Sequence, residues 1–354
     1  MKVSLAPRLS AILIGCATAW GAVALSLSSA WAADFGSCAG IDEDAPRLAC
    51  YDQAAGRPET TPVAPQAAVI APQPDLPEKT AGKSAADSSL LSREWELEPA
   101  DKRGPFKLLL HKPNYVLPLY YTSNTNAMPS SPAAGHTVGT ARSVDKLEGK
   151  YQLSLKIKAL ENVFGDNGDL WLGYTQQSYW QVYNSKQSSP FRTTDYEPEA
   201  FFSLRTNVDL LGWRWRMLNL GLVHQSNGNG LPLSRSWNRA YAQFGFERGN
   251  LSLLVRPWWR IPESAKDDDN PDIKDYMGTG DARLSYTRDG HIYSLLGRYS
   301  TSGKRGGAQL EWAFPISKVL KGYVQLTSGY GASLIDYNHS QTTVGVGIMI
   351  LPWQ

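Results

Sequence analysis

The sequence predicts an all-β protein: a twelve-stranded antiparallel transmembrane β-barrel over residues 91–354, preceded by a short N-terminal extension. Three observations predict it. From about residue 91, segments of about ten residues alternate apolar and polar side chains between turn residues, the period of strands with two unlike faces. Past the first 32 residues, no run approaches the ~18 apolar residues a membrane helix needs. Mean hydropathy is −0.33, yet the chain carries 12 Trp, 17 Tyr and 31 Gly, a composition suited to aromatic girdles and glycine-relieved strands. A soluble β-sandwich would share the two-residue period. The barrel is preferred because apolar faces recur on nearly every strand, while the opposite faces carry Gln, Glu, Arg and Tyr.

Residues 1–32 read as an export signal. Lys2 and Arg8 give a basic start, Ala11 to Leu27 is mostly apolar or small, and Ala30-Trp31-Ala32 fits a small-x-small cleavage site. A rival reading takes Leu13-Ile14-Gly15-Cys16 as a lipoprotein box, but the apolar stretch before Cys16 is short for one. Either way the chain leaves the cytoplasm. In an exported protein, Cys38 and Cys50 of "CAGIDEDAPRLAC" are expected to pair; neither has a histidine neighbour that would suggest a metal site. The segment that follows, beginning "AAGRPETTPVAPQAAVIAPQPDLPEKT" at residue 54 and running to 90, is rich in Pro and Ala and poor in aromatics. Such a composition buries too little apolar surface to offset the entropy of ordering, so residues 33–90 read as a small disulfide module on a linker.

Twelve strands are expected, near 113–123, 150–161, 169–183, 197–207, 214–226, 235–248, 251–261, 276–288, 291–301, 305–316, 320–332 and 342–351. An even number brings both ends of the chain to one side of the barrel, expected to be the periplasm. "GAQLEWAF" sets Leu310 and Trp312 against Gln309 and Glu311; "KGYVQLTSGY" sets Val324 and Leu326 against Tyr323 and Gln325.

The fifth and sixth strands break their own pattern. In "RWRMLNLGLVHQSNG", Leu218, Leu220 and Leu222 share a face with His224 and Ser226; in "RSWNRAYAQFGFERG", Asn238 heads the stripe Ala240, Ala242, Phe244. A short loop, 227–234, joins them, which sets His224 near Asn238 on the outer, lipid-facing wall. A serine hydroxyl is a weak nucleophile until a base takes its proton, histidine is the usual base, and a third group fixes its tautomer. The alternative is that these residues merely mark the interfacial end of a strand, where polar groups are common.

At "HQSNG" and "SRSWNR", with their spacing, the sequence resembles the outer membrane phospholipase A family. "GYTQQSYWQ", "SSPFR", "DDDNPDI", "YMG" and "SGYGASLIDYN" agree, from about residue 91 to the C-terminus. The resemblance implies a calcium-dependent serine hydrolase that cleaves sn-1 and sn-2 acyl esters of phospholipids and lysophospholipids in the outer leaflet. It makes Ser226 the nucleophile, His224 the base, Asn238 its orienter and the Gly228 amide the oxyanion donor. One Ca2+ per active site would be held by the Asn229 carbonyl and the Ser234 hydroxyl, with Ser188 from a second copy of the chain. A homodimer is implied, and Gln176, beside Tyr174 on an otherwise apolar face, offers an independent hint, since a lipid-facing amide is costly unless bonded. Snorkelling of Gln176 to an interface is the alternative. The chain departs from the family pattern at Leu231, where an acidic residue is usual, and at its end, Pro352-Trp353-Gln354, where Trp353 is expected to serve as the assembly signal.

Other classes fit less well. A net charge of +2 with no basic block argues against a nucleic-acid partner, and five scattered His argue against zinc. The acidic run Asp267-Asp268-Asp269 reads as a solvated loop, with cation binding as the alternative. A passive pore, or a structural barrel without catalysis, is the runner-up; the bulky inward side chains weigh against the pore.

Overall fold

The computed structural model describes residues 38–54, 89–186 and 191–350. The expected signal (1–32), most of the linker, Ser188 and Trp353 lie outside the described residues. The chain divides into two units, Met1–Thr80 and Ala81–Gln354. In the first, helix α1 (Asp44–Ala54) begins with an acidic residue, favourable at the positive end of a helix. Cys38 and Cys50 are disulfide-bonded with Cα atoms 5.6 Å apart, the pairing their spacing predicted.

The second unit is the barrel. Its strands are β1 (Leu108–Leu110), β2 (Asn114–Thr122), β3 (Leu147–Leu160), β4 (Asp169–Trp180), β5 (Phe191–Leu210), β6 (Trp213–Ser226), β7 (Ser236–Arg248), β8 (Leu251–Ile261), β9 (Gly280–Arg288), β10 (His291–Ser300), β11 (Arg305–Pro315), β12 (Leu320–Gly329) and β13 (Gln341–Ile350). Each of β2–β13 pairs antiparallel with its sequence neighbours, and β13 pairs with β2, closing a twelve-stranded barrel. β1 and β2 both pair with β3, so they are two pieces of one barrel strand. Pro113 makes the break because it has no N–H to give the ladder. Asn114 repairs it: its Nδ2 donates to the carbonyls of Lys112 and Ser154, each at 2.8 Å, and its Oδ1 accepts from the Ser154 N–H at 2.7 Å. Asn114→Ala removes three hydrogen bonds at a buried site and is expected to destabilise the barrel by about 1–3 kcal/mol. A lower urea midpoint of unfolding in detergent checks it.

Most strands lie within a few residues of the sequence expectation, and β8 matches at both ends. Two differ. β5 extends the expected 197–207 in both directions. β9 starts later than expected because Lys274–Met277 coils into a single turn, α3, ended by Gly278 at φ +70°. The short helix α2 (Leu90–Trp95) was not foreseen. Ser89 caps it, accepting from the Ser92 N–H at 2.9 Å, and Leu91 and Trp95 enter the lumen to pack with Trp171, Phe201 and Met217. Six residues carry too little periodicity to be read as a helix from sequence.

Side-chain alternation divides the wall as expected. The interior is filled by paired charges and tyrosines: Arg192 bonds Glu148 at 3.0 Å and Asp336 at 2.7 Å, and Arg256 bonds Asp281 at 2.6 Å. Lys150 Nζ sits 5.0–5.8 Å from the rings of Tyr115, Tyr120 and Tyr179. Unpaired, such groups would be costly to enclose; paired, they fill the lumen. A cavity of about 260 Å³ lined by His111, Glu199, Arg256 and Glu311 remains among them. The exterior presents Leu220, Leu222, Leu310, Leu326, Val344 and Ile350, all exposed. An apolar outer band around a polar interior suits a lipid solvent. Both ends of the barrel chain lie at one rim, and the 123–146, 227–235, 262–279 and 330–340 loops gather at the other.

Candidate active site

The β6–β7 pairing sets His224 directly opposite Asn238, Ser226 opposite Ser236 and Leu222 opposite Ala240. Met217, Asn219 and Val223 are buried inward, whereas Leu220, Leu222 and His224 are exposed. The strand period therefore turns His224, Ser226 and Asn238 outward, onto the apolar wall, as the sequence predicted. The side chains of directly opposed residues can touch, and here they do: His224 Nδ1 and Asn238 Oδ1 are 2.8 Å apart. An amide oxygen only accepts, so Nδ1 carries the proton and Nε2 is left bare to accept one. Ser226 follows two residues on along the same face, a backbone step of about 6.6 Å. Among the described residues no hydrogen bond joins Ser226 to His224, and side-chain rotation alone can close such a gap, as catalytic bonds often tighten only with substrate bound. The Asn238 amide is held at its other end too: Nδ2 donates to Glu263 Oε1 at 3.0 Å.

One buried side chain shapes the loop beyond Ser226. Asn227 Nδ2 donates to the Leu233 carbonyl at 2.7 Å, and its Oδ1 accepts from the N–H of Arg235 at 3.0 Å and of Asn229 at 3.3 Å. Arg235, fully buried, donates to the carbonyls of Ser234 at 2.7 Å and His136 at 3.0 Å. Gly228 stands at φ +63°, where a Cβ would lie 3.0 Å from the Tyr196 ring. Its amide donates to no acceptor among the described residues, which leaves it available for an oxyanion. Both the left-handed backbone and the close ring require glycine. Gly228→Ala is expected to lower kcat about a hundredfold, the scale of displacing an oxyanion donor, with an unchanged β-sheet circular dichroism spectrum.

The expected calcium donors Asn229 and Ser234 lie on this loop. Ser234 Oγ donates to Asp269 Oδ2 at 2.7 Å, Ser236 Oγ to the same oxygen at 3.1 Å, and His136 Nε2 meets Asp269 Oδ1 at 2.9 Å. This corrects the reading of the acidic run as a solvated loop. Asp268 bonds Arg260 at 2.5 Å and Asp269 bonds the site, while Asp267 stays exposed with Ser264 at 2.6 Å. Leu231 is exposed and brings no charge, but Asp269 supplies a carboxylate beside Ser234 from a different loop. Hydroxyl, carbonyl and carboxylate oxygens form a hard donor set that fits calcium. No cluster of three or more His, Cys, Asp or Glu side chains suited to a metal occurs among the described residues.

Gln176 and Tyr174 face outward on β4 beside the exposed Leu172. Tyr174 Oη donates to Gln176 Oε1 at 3.1 Å, and Gln176 Nε2 donates to Ser178 Oγ at 3.2 Å and Tyr151 Oη at 3.4 Å. The amide is thus satisfied within one chain, so its polarity alone does not demand a partner copy. The sequence reading missed Glu263, His136 and the role of Asp269. Glu263 continues the outward alternation Trp259, Ile261, Glu263 past the end of β8, and only the register Asn238↔Ile261 reveals its neighbour.

Comparison with known proteins identifies the family. The family model described as Phospholipase A1 matches residues 91–350. A Neisseria meningitidis serogroup B protein, provisionally named a phospholipase A1, is 41% identical, the match covering 92% of this chain and 93% of that one. The solved outer membrane phospholipase A from Escherichia coli superposes with a TM-score of 0.63 at 40% identity, covering 68% of this chain and 93% of its own. That enzyme has also been solved as an active site mutant in which alanine replaces an asparagine. The Salmonella typhi outer membrane phospholipase, solved as a dimer with bound calcium, superposes with a TM-score of 0.64 at 39% identity, covering 71% of this chain and 94% of its own. With this similarity over the whole barrel, the chain belongs to the phospholipase A1 family, the outer membrane phospholipases A.

Proposed function

We propose that this outer-membrane phospholipase is a calcium-dependent serine hydrolase, active as a homodimer, that cleaves sn-1 and sn-2 acyl esters of outer-leaflet phospholipids and lysophospholipids. The observation that carries the proposal is the His224–Asn238 hydrogen bond on an outward, apolar wall one step from Ser226. Ser226 Oγ attacks the ester carbonyl while His224 Nε2 takes its proton. Asn238 holds the Nδ1–H and with it the orientation of the ring. The Gly228 amide donates to the oxyanion of the tetrahedral intermediate. His224 returns the proton to the leaving glycerol oxygen, releasing a lysophospholipid. It then deprotonates the water that frees the fatty acid from Ser226. Calcium, when bound by the Asn229 carbonyl and the Ser234 hydroxyl with Asp269 adjacent, adds positive charge where the oxyanion forms.

Ser188 of a second copy is assigned to the same ion, which would make assembly the switch for activity. The dimer of the Salmonella typhi relative with bound calcium supports this reading. Residues 1–32 are assigned as a cleaved signal. Residues 33–90 are assigned as a periplasmic module and linker, with the N-terminus in the periplasm. The filled lumen speaks against a passive pore. Fatty acid release from phospholipids labelled separately at sn-1 and sn-2 tests the reaction. Release of both labels, lost with chelator, supports it, and release of neither contradicts it.

A further inference from the structure

An asparagine can orient a histidine but gives the imidazolium no countercharge, which the Asp of a Ser-His-Asp triad supplies. The structure assigns that charge to Glu263: we propose that Glu263 is the positioning residue that fixes the Asn238 amide and supplies the negative end of a Ser226–His224–Asn238–Glu263 chain. This rests on the catalytic roles proposed above for Ser226, His224 and Asn238.

A primary amide can turn over, presenting NH2 or oxygen to a given neighbour. Turned the wrong way, Asn238 would present N–H to His224 Nδ1 and drive the proton to Nε2, where it would block the base. Glu263 removes the choice. A carboxylate only accepts, so with Glu263 Oε1 3.0 Å from Nδ2, the Asn238 oxygen must face His224 at 2.8 Å. Glu263 is itself held in place. It lies two residues past Ile261, the residue paired with Asn238, its side chain is 18% exposed, and Arg260 lies 3.5 Å from its other oxygen. Arg260 is anchored in turn by Asp268 and by the carbonyls of Asn270 and Pro271, each at 3.2 Å. Burial raises the Glu263 carboxyl above the ordinary range, Arg260 lowers it and Asp268 raises it. Formation of imidazolium at His224 is then stabilised by the oxygen end of the Asn238 amide dipole and by one carboxylate beyond it, a hydrogen-bonded series whose members polarise one another.

The experiment uses full-length protein in detergent with calcium and compares Glu263→Gln, Glu263→Ala, Asn238→Ala and the double variant Asn238→Ala/Glu263→Ala. Glu263→Gln keeps an acceptor for the amide but removes the charge. It is expected to lower kcat several-fold with little change in KM and to move the acidic limb of kcat/KM to lower pH. Glu263→Ala is expected to cost on the order of tenfold, as for other outer partners of a functional histidine. In the Asn238→Ala background the same change is expected to cost less than twofold, because the link it acts through is gone. Equal losses from Glu263→Ala in both backgrounds, or no loss in either with Asn238→Ala impaired, would overturn the proposal. Wild-type activity in Asn238→Ala itself would instead remove the triad reading beneath it.

Discussion

Ser226→Ala is expected to reduce fatty acid release by about 10⁴–10⁶-fold while leaving the barrel folded. The size follows from the kind of group removed. Without the hydroxyl no acyl-enzyme forms, and only the binding surface and oxyanion contacts remain to accelerate direct hydrolysis. The side chain is half-buried at a strand end, with no hydrogen bond among the described residues, so its loss should barely alter stability. His224→Ala should cost about as much, and His224→Ala/Ser226→Ala hardly more than either, because the two act as one unit. Independent, additive losses would mean that they do not.

Removing calcium is expected to lower kcat by about 10²–10³-fold, the scale of losing one oxyanion contact, and readdition should restore it. The oxygens of Asn229 and Ser234 are neutral, and among the described residues Asp269 is the one carboxylate bonded to Ser234, Leu231 contributing none. A site with so little charge should need about 10⁻⁴–10⁻³ M calcium for half-maximal activity. Ser234→Ala removes a donor and one of the three side-chain bonds that hold the Asp269 carboxylate, so it should raise that requirement further. Leu231→Asp adds charge near the site and should lower it. Calcium titrations of hydrolysis by the three proteins measure both shifts.

Much of this was legible in the sequence because β-barrels obey a two-residue rule. Apolar stripes such as Leu218, Leu220 and Leu222 fix which way β6 faces, and therefore fix His224 and Ser226. A short loop then limits the register enough to bring Asn238 opposite His224. What alternation could not supply was contact between separate loops. Asp269 reaches Ser234 from the segment after β8, and His136 reaches Asp269 from the segment after β2. No period in the sequence encodes those meetings, which depend on how the loops pack over one rim. Only the opening piece of the first strand, β1, escaped the pattern, for a different reason: Pro113 separates it from β2, and a side chain, Asn114, completes the ladder. Gln176 teaches the reverse lesson. Its place on the outer face was readable, but its partners Tyr151 and Ser178 were not, and they remove the argument that it must seek a second chain.

The most direct test is covalent trapping with a long-chain phosphonylating ester reagent, followed by peptide mapping of the labelled protein. The account predicts one adduct, on Ser226, formed faster with calcium and suppressed by His224→Ala. Stoichiometric, inactivating modification at another residue, or full inactivation with Ser226 unmodified, would contradict an outward-facing serine nucleophile on the barrel wall.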